Sequence, residues 1–136
     1  MALALVPAGA HFFELPGKIG LDREAYFLVQ QVYSGWGLFG IGVVGALFMN
    51  VVLAVLLRSD QMAFVFAVGA VVALLVNLAI FFTWTFPANE ATANWTRPTE
   101  NWETLRRNWE YSHAVNALVT LLGLCSVTLA ALTARR

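Results

Sequence analysis

Residues 105–134 have the sequence LRRNWEYSHAVNALVTLLGLCSVTLAALTA, and this segment decides the class of fold. Its last 21 residues, 114–134, contain no charged side chain. A helix of this length spans about 31 Å, roughly the hydrocarbon thickness of a bilayer, so the pattern predicts a transmembrane helix. Directly before it, Glu110 and His113 stand three residues apart. This spacing places both side chains on one face of the helix.

The composition of the whole chain also places it in the membrane class. Of its 136 residues, 60% are hydrophobic and 12% are charged, whereas about a quarter of the residues in a typical soluble domain are charged. The formal net charge is zero and the basic residues are not clustered, which argues against nucleic-acid binding. We expect one domain, residues 1–136, in an integral protein of a bacterial plasma membrane.

Helix-breaking residues divide the chain into four predicted helices. Pro16 and Gly17 are expected to end the first helix, Asp22 to cap the second, and Pro87 to end the third. The predicted ranges are 2–15, 23–57, 62–86 and 102–134. The predicted fold class is therefore all-α: an up-down four-helix transmembrane bundle. Helices two and four extend beyond the bilayer on one face, which carries loops 16–22 and 87–101.

Small and aromatic residues predict how these helices lie in the membrane. Small residues at helical spacing allow close packing between helices in lipid, and they occur on the second and third predicted helices. Tryptophans near the chain's polar loop are expected to form an interfacial aromatic belt. These residues are Gly35, Gly42 and Ala46 on helix two, Gly69 and Ala73 on helix three, and Trp84, Trp95, Trp102 and Trp109 in the belt.

A polar stripe follows one face of the last helix, at steps of three or four residues. Its members are Glu103, Arg106, Glu110, His113, Asn116 and Thr120. Near the start of the chain, His11 and Glu14 repeat the three-residue spacing of Glu110 and His113. The first and last helices of an up-down bundle are commonly neighbours, so we expect the two His/Glu pairs to meet at one depth.

Three interpretations of the two His/Glu pairs compete. One transition-metal ion (Fe, Mn, Zn or Cu) is bound by His11, Glu14, Glu110 and His113, since imidazole and carboxylate ligands suit these ions. Alternatively, the pairs are structural and neutralise one another and Arg106 where the helices leave the lipid. The third interpretation is haem held by the two histidines, which is disfavoured because both have acidic neighbours.

Other polar residues are candidates for supporting roles. Arg106 or Arg107 would steady a carboxylate or an anionic intermediate, and Tyr33 is the third candidate catalytic residue. Asn77, Asn89 and Asn116 would hydrogen-bond to the metal ligands and orient them.

A set of residues spread over the chain matches the pattern of a known family: His11, Pro87, Asn89, Trp102, Leu105, Arg106, Trp109, His113 and Asn116. At these residues the chain resembles the anthrone oxygenase-like family of small four-helix membrane proteins. Fungal members of that family are associated with the oxidation of anthrones to anthraquinones, so the resemblance implies an oxygenase-like chemistry.

The sequence therefore predicts a metal-dependent oxygenase or redox enzyme that acts on a lipophilic aromatic or quinone-like small molecule within membrane lipid. The alternative is a non-enzymatic membrane subunit, in which the polar cluster serves assembly with a second copy or with another membrane protein.

Overall fold

The computed structural model describes residues 1–134, and these residues form helices and connecting turns with no strand. The prediction of an all-α fold is confirmed. The α-helices are α1 (Ala2–Lys18), α2 (Arg23–Gln30), α3 (Gly40–Leu56), α4 (Gln61–Ile80), α5 (Phe86–Ala91) and α6 (Trp102–Thr133).

Within residues 1–134, three helical stretches are long and apolar enough to cross a membrane. They are Trp36–Leu56, Gln61–Ala91 and Trp102–Thr133, with 21, 31 and 32 residues and mean hydropathies of 2.4, 2.7 and 2.1. Helix α1, with 17 residues, is not one of these three stretches. The four-span topology therefore stays a prediction, while the membrane class is supported by three helices of sufficient length.

The second predicted helix, 23–57, is broken, and the prediction of one continuous helix there is wrong. Short 3-10 turns at Gln31–Tyr33 and Trp36–Phe39 separate α2 from α3. Between them Gly35 has φ of +84°, in the left-handed region. Only glycine adopts this conformation at no steric cost, so the helix stops here and the chain changes direction. This break places Tyr33 and Trp36 beside the first helix.

The third predicted helix does not end at Pro87, and the prediction of its end there is wrong. Pro87 lies in the first turn of α5, and the chain stays helical to Ala91. A π-helical turn, Phe81–Thr85, joins α4 to α5 directly before this proline. The wider π-helical turn accommodates a residue that has no N–H to donate, so Pro87 does not terminate the helix.

Helix α1 extends three residues beyond its predicted end and packs against α6. Pro16 removes only its own N–H donor, and the amide of Ile19 still bonds to the carbonyl of Leu15 at 3.0 Å. The expectation that the first and last helices are neighbours is confirmed. The extension has a further result, because it brings Lys18 into the protein interior.

Helix α4 packs closely on α6, as the small residues of the third predicted helix indicated. A Cβ atom added at Gly69 would lie 2.6 Å from the Ser126 hydroxyl, so any larger residue would require the Ser126 side chain to move. The predicted contact face on helix two is wrong at Gly42, which is exposed, although Ala46 is buried.

Candidate functional site

His11 of α1 and His113 of α6 meet in the wall of a large cavity. Their ring centroids are 4.2 Å apart with an interplanar angle of 35°, so the two imidazoles are in direct contact. The cavity has a volume of about 770 Å³ and is lined by α1, the turns between α2 and α3, α4, α5 and α6. Pockets that bind small organic molecules typically span a few hundred to a thousand Å³.

Aromatic rings surround the two imidazoles. The indole of Trp109 has its centroid 4.2 Å from that of His113 and 4.9 Å from that of His11. Tyr33 and Trp36 approach His11 at 4.6 Å and 5.5 Å. All five residues line the cavity, so a molecule bound there would meet a largely aromatic surface with two ring nitrogens within it.

The polar stripe of α6 faces the protein interior, as predicted, except at its start. Arg106, Glu110, Asn116 and Thr120 are buried, whereas Glu103 is exposed. Burial of this stripe is the reason that α6 can carry ionisable groups into an apolar helix.

Lys18 joins the two carboxylates that the sequence assigned to a metal. Its Nζ lies 3.2 Å from Glu110 Oε1 and 3.5 Å from Glu14 Oε2, and it donates a hydrogen bond of 2.8 Å to the Tyr33 hydroxyl. Tyr33 in turn donates to Glu14. The side chain of Lys18 is only 5% exposed. The single positive charge of this ammonium group is thus shared between the two carboxylates.

Glu110 is fully buried and accepts hydrogen bonds from a second element. Tyr26 of α2 donates to Glu110 Oε1 at 2.9 Å, and Gln30 Nε2 donates to the Tyr26 hydroxyl at 2.6 Å. Burial, followed by the negative charge of Glu110, raises the pKa of Tyr26 well above its usual range. The phenol therefore keeps its proton and remains a donor to the carboxylate.

Tyr33 keeps its proton for similar reasons. Burial is the largest cause, and the hydrogen bond to Glu14 adds to it; together they raise the pKa of Tyr33 above its usual range. Tyr33 lines the main cavity and also a smaller pocket of about 350 Å³ that contains Glu14 and Lys18. It lies at the boundary between the two spaces.

The four predicted metal ligands are not assembled as one set. His11 and His113 are together, but Glu14 and Glu110 are held by Lys18, Tyr33 and Tyr26. In the described part of the chain, no three His, Cys, Asp or Glu side chains form a group that could hold a metal ion. The sequence interpretation omitted Lys18, whose positive charge competes with a metal for the same oxygens.

Haem fits this arrangement poorly. Bis-histidine ligation requires one imidazole on each side of the porphyrin plane. The imidazoles of His11 and His113 are in ring contact, which leaves no room for a porphyrin between them.

The two candidate catalytic arginines lie away from the cavity. Arg106 donates a 2.6 Å hydrogen bond to the main-chain carbonyl of Leu21, and its guanidinium carbon is 4.5 Å from the centroid of Trp102. It therefore ties α6 to the turn before α2. Arg107 is exposed. Of the three predicted catalytic residues, Tyr33 alone lines the cavity.

The three predicted supporting asparagines all line the cavity, and each has a different environment. Asn89 Oδ1 accepts hydrogen bonds from the indoles of Trp109 at 2.8 Å and Trp95 at 3.2 Å, and so positions the ring that contacts both imidazoles. Asn77 Nδ2 donates to Thr120 Oγ1 at 2.9 Å. The Oδ1 atom of Asn116 is buried with no partner in the structure.

Several functional candidates were not identified from the sequence. Lys18 was assigned to a loop, although its position one turn after Glu14 was a usable signal. Trp109 and Trp95 were assigned to an interfacial belt, yet they are 4% and 3% exposed. This prediction is wrong for both, because their indoles are held inside the bundle by Asn89.

Comparisons with known protein families, with curated proteins and with solved structures found no match to this chain.

Proposed function

We propose that this chain is a membrane enzyme that binds a lipophilic aromatic or quinone-like molecule in the cavity of about 770 Å³. One observation carries the proposal: two imidazoles from opposite ends of the chain are in contact within an aromatic wall. A flat aromatic molecule would stack on Trp36 and Trp109 and meet the imidazoles at its edge. Such a molecule would reach the cavity from the surrounding lipid.

The imidazole pair supports acid–base chemistry on the bound molecule. Imidazole is the side chain most often used to accept or donate a proton near neutral pH. Nδ1 of His11 is buried and has no hydrogen-bond partner in the described part of the chain, so no protein group there fixes the tautomer of this imidazole. We assign to His11 the removal of an acidic proton from a carbon or a hydroxyl group of the substrate.

The resemblance to the anthrone oxygenase-like family supplies the reaction class of the proposal. Removal of a proton from an anthrone gives a delocalised anion, which reacts with dioxygen as the co-reactant. One oxygen atom stays on the ring carbon as the new carbonyl, and the other leaves as water with the two hydrogens of that carbon. The sum is one anthrone and one dioxygen to one anthraquinone and one water.

A transition-metal ion at the histidine pair is a second candidate, favoured by the contact between His11 and His113. Because Lys18 is paired with both carboxylates, the available protein ligands are two imidazoles, a set that suits zinc, copper or iron better than manganese. Metal analysis of the purified protein tests this candidate. Stoichiometric metal that is lost in His113→Ala supports it, and wild-type protein without bound metal contradicts it.

Binding is tested with a matched pair of variants on α1. Ala8 lines the cavity, one turn before His11, whereas Ala10 does not line it. The probe is 2,6-dimethoxynaphthalene, titrated into protein in lipid nanodiscs by calorimetry, with empty nanodiscs as the blank. We expect saturable binding that Ala8→Phe weakens at least tenfold and Ala10→Phe leaves unchanged. If both variants bind 2,6-dimethoxynaphthalene with equal affinity, the probe does not occupy the cavity.

The reaction is tested separately with anthrone in air, by following anthraquinone above the rate of empty nanodiscs. Loss of a general base typically costs a factor of about 100 or more. We therefore expect His11→Gln to reduce anthraquinone formation about 100-fold while 2,6-dimethoxynaphthalene still binds. Turnover by wild type no faster than the blank would exclude the oxygenase reaction and leave the binding proposal standing.

A further inference from the structure

A short segment after α5 forms part of the exposed rim of the main cavity. This segment, residues 92–96, is the strap, and its residues 93–96 line the cavity. The strap follows the helical stretch Gln61–Ala91 and precedes Trp102–Thr133, so it lies outside the stretches that could cross a membrane. Its residues Asn94 and Thr96 are exposed. The strap therefore lies at the rim of the cavity that faces water.

Three consecutive strap residues hold a conformation that is unfavourable for a residue with a Cβ atom. Ala93, Asn94 and Trp95 have φ of +49°, +55° and +63°, in the left-handed region. Asparagine tolerates this region better than most residues, whereas alanine and tryptophan adopt it at a cost in free energy. Such strain persists only where surrounding contacts hold it, and it is concentrated at ligand sites and at segments that switch between conformations.

The side chain of Trp95 is the contact that holds the strained turn. Its indole packs edge-on against Tyr26 and Phe27, with ring centroids 5.1 Å and 5.5 Å apart, and donates to Asn89 Oδ1. Backbone strain in the strap opposes this packing. The closed position is therefore held by less free energy than the burial of an indole alone would supply.

A hydrogen bond joins the strap to the opposite rim of the cavity. Gln31 Nε2 donates to the main-chain carbonyl of Trp95 at 3.0 Å. Gln31 and Ser34 are exposed, line the cavity and precede the membrane-length stretch Trp36–Leu56. The bond between Gln31 and Trp95 thus connects two exposed edges of the cavity that both lie outside the membrane-length stretches.

The cavity has another exposed edge of different chemical character. Leu38 and Phe39 line it, are 72% and 48% exposed, and belong to the stretch Trp36–Leu56. A lipophilic molecule can pass these side chains from the lipid, whereas a charged molecule meets a high free-energy cost there. Water-soluble molecules therefore need the water-facing rim, which the strap and Gln31 bridge.

We propose that the strap is a gate through which water-soluble molecules reach the cavity, and that it opens when Trp95 separates from Gln31. Opening relaxes the left-handed residues, which offsets part of the lost packing of Trp95. This inference uses only the cavity and its rim, and it goes beyond the proposed function. Such a gate would admit water and small polar solutes whichever aromatic molecule the cavity binds.

The gate is tested by labelling a thiol in the cavity from the water phase, with no ligand present. Ala8→Cys places the thiol in the cavity wall, and Ala10→Cys places one on α1 outside the cavity. Both carry Cys125→Ala, because Cys125 is the chain's single cysteine and is exposed. The reagent is methanethiosulfonate ethyltrimethylammonium, whose permanent charge keeps it out of the lipid of the nanodisc. The rate of labelling then reports access through the water-facing rim.

Two substitutions at the rim should change this rate in opposite directions. Gln31→Ala removes the hydrogen bond to the Trp95 carbonyl, so we expect the thiol of Ala8→Cys to react about fivefold faster, within the roughly two- to tenfold effect of one hydrogen bond. Ala93→Gly relieves the left-handed strain of the closed strap, so we expect labelling about threefold slower. Asn101→Gly, in the same loop at φ of −93°, is the matched control and should leave the rate unchanged.

The outcomes do not depend on whether an aromatic molecule binds, so failure of the proposed function would leave this inference standing. Equal labelling rates of Ala8→Cys with and without Gln31→Ala and Ala93→Gly would overturn the gate. An equal acceleration of Ala10→Cys by Gln31→Ala would also overturn it, because the substitution would then loosen the whole protein. Absence of labelling of Ala8→Cys in every background, with full labelling after denaturation, would show that no aqueous entrance exists.

Discussion

Lys18 is the residue on which the buried polar network depends. It lies between a fully buried carboxylate, Glu110, and a half-exposed one, Glu14. The Coulombic attraction in this low-dielectric region offsets the cost of removing Lys18 and Glu110 from water, and loss of Lys18 leaves the buried carboxylate of Glu110 without an opposite charge.

We therefore predict that Lys18→Met lowers the free energy of unfolding by roughly 3–5 kcal/mol, the usual cost of leaving one buried charge unpaired. The double variant Lys18→Met/Glu110→Gln should recover at least half of this loss, because neither member of the buried ion pair then remains charged without the other. Equilibrium unfolding in mixed micelles measures both values.

Glu14→Gln is the control for this prediction, because its side chain is 44% exposed and water screens the charge. It should change the free energy of unfolding by less than about 1 kcal/mol. A Lys18→Met protein as stable as Glu14→Gln would show that the ammonium group does not hold the network together.

The break between α2 and α3 is the element that opens the cavity. Gly35, Trp36 and Gly40 all line the cavity at this break. A continuous helix over this region would keep Tyr33 and Trp36 on a straight axis, away from His11. The left-handed conformation of Gly35 is thus a requirement of the site as well as of the fold.

Gly35→Ala should destabilise the protein by about 1–2 kcal/mol, the cost of a left-handed conformation for a residue with a Cβ atom. Gly37→Ala is the matched control, since Gly37 lacks the positive φ angle and a Cβ atom there meets open space. Thermal unfolding of both variants in detergent gives the comparison. Similar Tm values for the two variants would contradict the structural role of Gly35.

The contact between α4 and α6 depends on the pair Gly69 and Ser126. The Ser126 hydroxyl donates to the Phe66 carbonyl at 2.7 Å, which holds it where a Cβ atom at position 69 would come within 2.6 Å. We predict that Gly69→Ala costs about 1–3 kcal/mol through overpacking. Ser126→Ala should restore most of that loss, because the Cβ of residue 126 would lie at an ordinary 3.8 Å.

Unfolding of the single and double variants in mixed micelles checks this prediction. If Ser126→Ala adds its own loss to that of Gly69→Ala, the two residues act independently and the close contact is not the cause.

At the scale of the whole molecule, hydropathy and periodicity predicted the features that depend on many residues at once. Such patterns predicted the long apolar runs of α3, α4 and α6 and the buried stripe on α6. They also predicted that α1 packs against α6. Each of these features depends on the hydrophobicity of many residues along a whole helix, so no single residue determines it.

Features that depend on one residue were not predictable in the same way. Glycine is common in membrane helices, so Gly35 did not by itself indicate a break. Lys18 follows Pro16 and Gly17, which favour a helix end, and its burial depends on the helix continuing through them. The pairing of His11 with His113 was predicted from topology, whereas the competition of Lys18 for the carboxylates required the three-dimensional arrangement.

Binding of an aromatic molecule against the histidine pair can be measured directly, because the chain contains only two histidines. In protein labelled with ¹⁵N-histidine and freed of any affinity tag, every imidazole signal arises from His11 or His113. We predict that 2,6-dimethoxynaphthalene shifts both sets of signals saturably, and that Ala8→Phe abolishes the shift. Saturable binding of this probe without movement of either histidine signal would show that it does not bind against the histidine pair.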